Sequence, residues 1–136
     1  MKKQLLTLAV AGMMSVGAVF GAAAAGVGYV NTGALLQAHP KMAKAELTMR
    51  TEVQQKQQQF EKEAAKLKDE AAKQQLAVKI QNELAQKERS VMEPIQRDII
   101  NAIEKTRKQK DLDIIIDQGV VIAGGQDVTV DVQKNL

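Results

Sequence analysis

Few residues of this chain have the types and spacing that enzymatic chemistry requires. His39 is the only histidine, and the chain has no cysteine. A lone imidazole without convergent groups is poorly placed for acid–base catalysis or for metal binding. The sequence also carries no phosphate loop, no Ser/His/Asp set and no metal-ligand cluster. It therefore predicts no catalytic, cofactor-binding or metal-binding residues, and it predicts a protein that is not an enzyme.

The composition indicates extended helices rather than a ligand pocket. The aromatic residues are Phe20, Tyr29 and Phe60 alone, whereas small-molecule pockets depend on aromatic and branched side chains. The chain is rich in Ala, Gln, Lys and Glu, a composition typical of long exposed helices.

The N-terminus has the pattern of an export signal. Lys2 and Lys3 precede an apolar run over residues 5–20, and small residues follow in "GAAAAG". This pattern predicts a cleaved signal peptide, with the cut near Ala24 or Ala25. A membrane anchor is the alternative, but a stop-transfer cluster does not follow the run.

We therefore expect residues 1–25 to be the signal peptide and residues 26–136 to form one domain. The absence of cysteine excludes disulfides and a lipoprotein anchor. In a cell with an outer membrane, the exported protein would be in the periplasm.

Charge divides the chain into two parts. Residues 41–110 hold 16 basic and 11 acidic residues, which gives a net charge of 16 − 11 = +5. Residues 111–136 hold 1 basic and 5 acidic residues, which gives 1 − 5 = −4. A basic helical region is thus followed by an acidic end.

The segment after the signal predicts a strand and a short helix. Val27–Val30 has the β-branched content of a strand. Asn31 is a suitable N-cap for a helix through "TGALLQA". Pro40 suits the first position of a second helix.

The middle of the chain predicts two helices with narrow apolar seams. One series of four- and three-residue steps comprises Val53, Gln57, Phe60, Ala64, Leu67 and Ala71, and the next comprises Ala77, Ile80, Leu84, Val91 and Ile95. Such spacing is typical of a coiled coil. We expect the two helices to form a hairpin, with Asp69 capping the second one.

Pro94 interrupts the second helix and favours a kink there, with a complete break as the alternative. Beyond it, a wider apolar stripe that needs a packed body comprises Ile95, Ile99, Ala102, Ile103 and Thr106.

The last part of the chain predicts short strands. "DLDIIIDQG" followed by "VVI" suggests a hairpin of two strands, with Gly119 supplying a positive φ. We expect the strand of isoleucines to pair with Val120–Ile122 and with Val27–Val30. "AGG" turns the chain again, and Thr129 either caps a short helix or leads an edge strand.

These elements predict an α+β fold. A small β head, made of residues 26–40 and 94–136, would carry a long antiparallel helical coiled-coil hairpin, the arm, made of residues 41–93. A head of this size buries too little surface to be stable alone, so we expect copies to share a core.

The chain resembles the OmpH/Skp family of periplasmic chaperones. The resemblance rests on "VGYVNTGALLQAHPK", on "PIQRDIINAIEKTRKQKDLDIIIDQGVVI" and on "DVTVDV" after it. It implies a jellyfish-like homotrimer in which three helical arms extend from a β-rich body. It also implies an ATP-independent holdase that binds unfolded outer-membrane proteins in transit. The arm is shorter here than in the longest-armed members, which affects cavity size and client range.

The side chains of the predicted arm suit that function. Met42, Leu47, Met49 and the stems of Lys and Gln offer adaptable apolar surface for unfolded chains. The basic excess would attract acidic clients and anionic lipid head groups. A structural coiled-coil spacer of the cell envelope is the alternative, although the head strands argue against it. A nucleic-acid binder is disfavoured because Lys alternates with Glu and export separates the protein from DNA.

Overall fold

A computed structural model describes residues 26–136 and has the expected α+β composition. The elements in chain order are β1 (Val27–Val30), α1 (Thr32–Ala38), α2 (Met42–Ala64), α3 (Glu70–Gln109), β2 (Ile114–Asp117), a 3₁₀ turn (Gln118–Val120), β3 (Gln126–Asp127) and α4 (Thr129–Gln133). The predicted signal peptide lies outside the described residues. Within residues 26–136, no helix is both long and apolar enough to cross a membrane.

The head contains a three-stranded parallel sheet with β1 in the centre. β1 pairs with β2 on one side, where Val27 lies opposite Ile114, and with β3 on the other, where Gly28 lies opposite Gln126. The expected pairing of β1 with the isoleucine strand is confirmed. The segments on either side of the helical hairpin thus meet in one sheet, as an antiparallel hairpin allows.

The predicted β-hairpin after β2 is wrong. Asp117 Oδ1 accepts a hydrogen bond from the Gly119 amide at 2.8 Å, which starts a 3₁₀ turn at the end of β2. The chain then leaves the plane of the sheet and returns as β3 on the far side of β1. Val120–Ile122 is therefore not a strand partner of β2.

The positive φ expected at Gly119 occurs instead at Gly124 and Gly125, with φ of 79° and 85°. These two glycines belong to the "AGG" turn that the sequence predicts. A Cβ at Gly125 would lie 3.2 Å from the Tyr29 ring. Glycine therefore lets this loop cross closely over β1.

Caps and turns fix the ends of the first helices. Asn31 caps α1 by accepting from the Ala34 amide at 2.9 Å, as predicted. α2 begins at Met42, so the prediction that Pro40 opens it is wrong by two residues. Pro40 and Lys41 form a turn in which the His39 ring accepts from the Lys41 amide.

The core lies between the sheet, α1, α4 and the base of the hairpin. Its buried residues are Val30, Leu35, Ala45, Ile95, Ile99, Ala102, Leu112, Val128 and Val132. The predicted stripe beyond Pro94 is confirmed, because Ile95, Ile99, Ala102 and Thr106 are buried and Ile103 is half-buried.

The C-terminal segment completes the core as a helix. α4 begins at Thr129, so the strand alternative there is wrong. Thr129 does not cap α4. It donates instead to Asp127 Oδ1 and accepts from the Asn31 amide, which ties α4 to β1 and β3. Asn135 donates to Thr106 Oγ1 at 2.9 Å and fixes the last turn against α3.

α2 and α3 form the predicted hairpin and make the largest set of contacts between any two elements. Asp69 caps α3 by accepting from the Ala71 amide at 3.0 Å, which confirms the predicted break. α3 continues through Pro94 to Gln109, so the alternative of a complete break at Pro94 is wrong. The expected kink at Pro94 stays a prediction.

The predicted apolar seam is confirmed in part on each helix. Ile80 and Ile95 are buried, and Ala77, Leu84 and Val91 are half-buried. On α2, Phe60 and Ala64 are half-buried, as is Leu67 just beyond its end. Val53, Gln57 and Ala71, however, are exposed. Charged side chains take the facing positions of α2 instead.

Candidate functional site

His39 has a structural environment. Its side chain is buried, Nδ1 accepts from the Lys41 amide at 3.1 Å, and Nε2 lies 3.2 Å from Asp98 Oδ2. Because Nδ1 accepts a hydrogen bond, the ring proton is on Nε2, which donates to Asp98. Both ring nitrogens are used to fasten the α1–α2 turn to α3.

Asp98 joins the two parts of this contact. Its carboxylate also pairs with Lys41 Nζ at 2.7 Å. The hydrogen bond from Lys41, assisted by His39, holds the pKa of Asp98 below its usual value. The cluster positions the base of the arm, and its geometry assigns it no reaction.

No group of three or more His, Cys, Asp or Glu side chains within residues 26–136 could hold a metal ion.

Two ion pairs connect α2 to α3 in the middle of the arm. Lys56 pairs with Glu83 at 2.5 Å, and Glu52 pairs with Lys87 at 3.7 Å. The hydrogen bond between Lys56 and Glu83 raises the pKa of Lys56 and lowers that of Glu83. The positive charge is on α2 in the first pair and on α3 in the second, so both pairs form in one register of the two helices only.

These pairs belong to the seam, which we define as the positions where α2 and α3 face each other. The seam positions are Ala45, Glu52, Lys56, Gln59 and Glu63 on α2 and Leu76, Ile80, Glu83 and Lys87 on α3. Ala45, Leu76 and Ile80 are buried, and the others are half-buried. Apolar pattern alone could not identify the charged positions. The signal that could have identified them is opposite charge at positions the same number of residues from the hairpin tip on the two helices.

One flank of the seam, the apolar side, carries a row of partly exposed apolar groups, which include Val53, Phe60 and Leu84. In an antiparallel helix pair, residues directly after the seam positions lie on the same side of both helices. Between residues 53 and 84 these are Val53, Gln57, Phe60, Ala64, Ala77, Gln81 and Leu84, and none is charged. Val53 is 46% exposed, and Phe60 and Leu84 are half-buried. Between these bounds this side is a neutral, largely apolar strip that water reaches, and Glu46 and Glu88 follow it toward the base of the arm.

The opposite flank, the polar side, is hydrophilic and basic. The residues directly before the seam positions are Lys44, Thr51, Gln55, Gln58, Lys62, Gln75, Lys79, Asn82 and Gln86. Three of them are lysines and none is acidic. The arm therefore presents different chemistry on its two flanks.

The apolar side chains that we expected to contact unfolded chains lie in two different environments. Leu47 is 62% exposed on α2. Met42 and Met49 are half-buried, and Met42 packs against the core. Leu47 and Met49 therefore contribute surface to the arm, whereas Met42 mainly stabilises its base.

Three lysines, Lys62, Lys66 and Lys73, lie in the outer part of the arm. Lys62 is exposed on the polar side of α2, and Lys66 is exposed in the turn that follows α2. Lys73 is half-buried and pairs with Glu70 at 2.9 Å. Lys62 and Lys66 are accordingly the better test of attraction to an acidic partner.

A second apolar surface covers the sheet face that points away from the core. Val27 and Ile114 lie opposite each other in neighbouring strands, as do Tyr29 and Ile116. The side chains of Val27, Ile114, Val120 and Ile122 are exposed, and Ile122 fully so. A shallow groove of about 360 Å³ runs between this face and the loop through residues 120–125. Contiguous apolar surface of this kind is typical of a protein interface.

Comparison with protein families gives a match over the whole described part of the chain. The model of the family described as "Outer membrane protein (OmpH-like)" matches residues 26–136. No curated protein matches the chain at a significant level.

Proposed function

Because the chain belongs to the family of OmpH-like outer membrane proteins, we propose that it is an ATP-independent holdase for unfolded outer-membrane proteins. Family membership indicates a chaperone-type function toward outer-membrane proteins, and members are periplasmic and generally non-enzymatic. Holding an unfolded client in transit, without nucleotide, is the specific activity that we propose for this chain.

The apolar side of the arm is the observation that carries this proposal. An unfolded β-barrel protein presents many short apolar segments in no fixed arrangement. A neutral strip of separated apolar groups, here Val53, Phe60 and Leu84, can bind such segments through weak, non-directional contacts. Glutamines within the strip offer hydrogen bonds to exposed client backbone. This surface suits clients that differ in sequence.

The polar side supports the proposed attraction between the arm and anions. Lys44, Lys62 and Lys79 lie there without acidic neighbours at the equivalent positions. We propose that this side attracts acidic clients and makes contact with anionic lipid head groups, and that salt weakens both interactions. We propose no nucleic-acid partner.

We propose that the protein is a homotrimer whose subunits meet through the apolar outer face of the sheet. The exposure of Ile114, Val120 and Ile122 supports this, because an isolated subunit leaves them in water. The three arms of one trimer would then bind the same client at the same time. The effective concentration of the second and third arms would convert weak contacts into useful affinity.

An aggregation assay tests the holdase directly. The mature protein should suppress aggregation of a denatured outer-membrane β-barrel on dilution, without nucleotide. Replacing both Phe60 and Leu84 with Gln should weaken binding by roughly 1 kcal/mol per side chain, because apolar contact area with the client is lost. The matched control replaces Gln55 and Gln86 of the polar side with Ala.

Equal protection by both double variants would contradict binding through the apolar side. A full-length protein that protects no client would instead favour the structural spacer of the cell envelope.

A further inference from the structure

Gly26, the first described residue, is held by residues just before and at the start of β2. Its amide nitrogen lies 2.8 Å from Asp113 Oδ2. Its carbonyl accepts from the Asp113 amide at 2.8 Å and from the Ile114 amide at 3.3 Å. The chain is therefore fixed from Gly26 onward, directly before β1 begins at Val27.

The Gly26 nitrogen belongs to the Ala25–Gly26 peptide bond, which lies where the sequence predicts cleavage. The small-residue pattern places the end of the signal peptide near Ala24 or Ala25. A cut after Ala25 would make the Gly26 nitrogen, which already faces a carboxylate, the amino terminus of the mature protein.

We propose that the mature chain begins at Gly26 and that its new α-ammonium group binds the Asp113 carboxylate. This amine-binding site would form only after processing, and the proposal rests on the export that the proposed function includes. A leader-cleaving peptidase hydrolyses the Ala25–Gly26 peptide bond. The hydroxyl of water goes to the Ala25 carbonyl carbon, and Gly26 leaves as a primary amine that takes up a proton at neutral pH.

Processing changes the strength of one existing contact. In the uncut chain, the Gly26 N–H is a neutral donor to Asp113. After the cut, the donor carries a positive charge, and charge-assisted hydrogen bonds between ions of opposite sign are the stronger kind. The pair joins the start of β1 to the segment that enters β2, so cleavage stabilises the closure of the sheet by both ends of the chain.

The surroundings leave little room for a side chain on the first residue. A Cβ on Gly26 would lie 3.0 Å from Leu112 Cδ2, and Leu112 is buried. Arg107 is the nearby cation, and it donates to the Leu112 carbonyl at 3.0 Å and pairs chiefly with Glu104. Asp113 thus retains a carboxylate oxygen directed at Gly26.

The intact mass of the exported protein tests the site of the cut. We expect the mass of residues 26–136. A mature chain that begins at any other residue overturns the proposal, whatever its activity as a chaperone.

The ammonium–carboxylate pair is tested by a cycle of four proteins produced without the leader. Two begin at Gly26 and two begin at Ala25, and each start is combined with Asp113 or with Asp113→Asn. In the chain that begins at Ala25, the Gly26 nitrogen is again an uncharged amide. Asp113→Asn should therefore shift the unfolding equilibrium about two- to fivefold more in the chain that begins at Gly26, as exposed ion pairs do.

The difference should shrink at high salt, and Asp111→Asn should give no such difference. An equal effect of Asp113→Asn in both backgrounds overturns the proposed pair. Because unfolding rather than client protection is measured, this outcome is independent of whether the protein is a holdase.

Discussion

At the scale of single residues, polar side chains hold the junctions of the head. His39 and Asp98 fasten the α1–α2 turn to α3, and Asp127 and Thr129 connect β3 to α4. Asp117 accepts from the Thr32 hydroxyl at 2.7 Å and from the Gly119 amide. Each carboxylate is an acceptor at a point where one element ends and another begins.

These carboxylates predict acid sensitivity. Hydrogen bonds from Thr32 and from Thr129 lower the pKa values of Asp117 and Asp127, respectively, in the folded state. A lowered folded-state pKa contributes stability that is present above the unfolded-state value, about 3.9, and is lost as pH falls through the folded-state value. The urea concentration at the unfolding midpoint should therefore decrease as the pH falls below about 4. Asp117→Asn should reduce that fall, whereas Glu88→Gln on the exposed surface of α3 should leave it unchanged.

At the scale of elements, the arm combines an apolar tip and base with a charged middle. Leu76 and Ile80 are buried near the tip, and Ala45 and Ile95 are buried at the base. Between them, Glu52–Lys87 and Lys56–Glu83 occupy the seam. Ionic side chains at such positions specify register more than they stabilise the pair of helices.

Charge substitution tests this role of the seam. Lys56→Glu alone should lower the thermal midpoint of the arm because it places Glu83 opposite a like charge. Adding Glu83→Lys should restore most of the loss by exchanging the two signs. Circular dichroism measures the midpoints, and Lys62→Glu on the polar side is the matched control. A double variant no more stable than the single one would show that the pair does not set the register.

Local stability should differ along the hairpin. The seam is narrow, whereas residues 99–116 include much of the buried core around Ile99, Ala102 and Leu112. Amide hydrogen exchange should be fast in residues 66–75 at the tip and slow in residues 99–116. Slow exchange at the tip would contradict this order of stability.

At the scale of the whole molecule, the sheet has one face on the core and one facing water. Ile115 points to the inner face and packs against the core, whereas Ile114 and Ile122 are exposed. A change at Ile115 therefore tests folding. A change at Ile122 tests assembly.

We expect the two faces to respond differently to a charge. Ile122→Asp should yield folded monomers, because the charge occupies only the proposed interface. Ile115→Asp should unfold the subunit, at a cost of about 3 kcal/mol or more, because the carboxylate lacks a partner in the core. Light scattering with circular dichroism separates these outcomes. Trimers that persist in Ile122→Asp would place the interface elsewhere.

Arm length should set the size of the client that is held. Residues 57–63 and 76–82 face each other across the seam, so deleting both removes two turns, about 10 Å, while keeping the tip intact. The shortened protein should fold and protect small clients, but it should protect the largest clients less well. Equal protection of all sizes would exclude enclosure by the arms.

Features that depend on neighbouring residues follow from the amino-acid sequence without the fold. Asn31 and Asp69 cap helices where the pattern predicts, and the stripe from Ile95 to Thr106 is buried as its spacing requires. Caps and helical periodicity are set within a few residues, so they can be identified without knowledge of the fold.

The tertiary structure alone decided the topology of the sheet and the rotation of α2. Strand pairing depends on partners far apart in the chain, and the Asp117–Gly119 turn directs the chain away from the expected hairpin. On α2, the apolar spacing that includes Val53 predicts a seam, but Glu52 and Lys56 face α3 because Lys87 and Glu83 lie opposite. That rotation leaves Val53 in water. It is also what creates the apolar side of the arm.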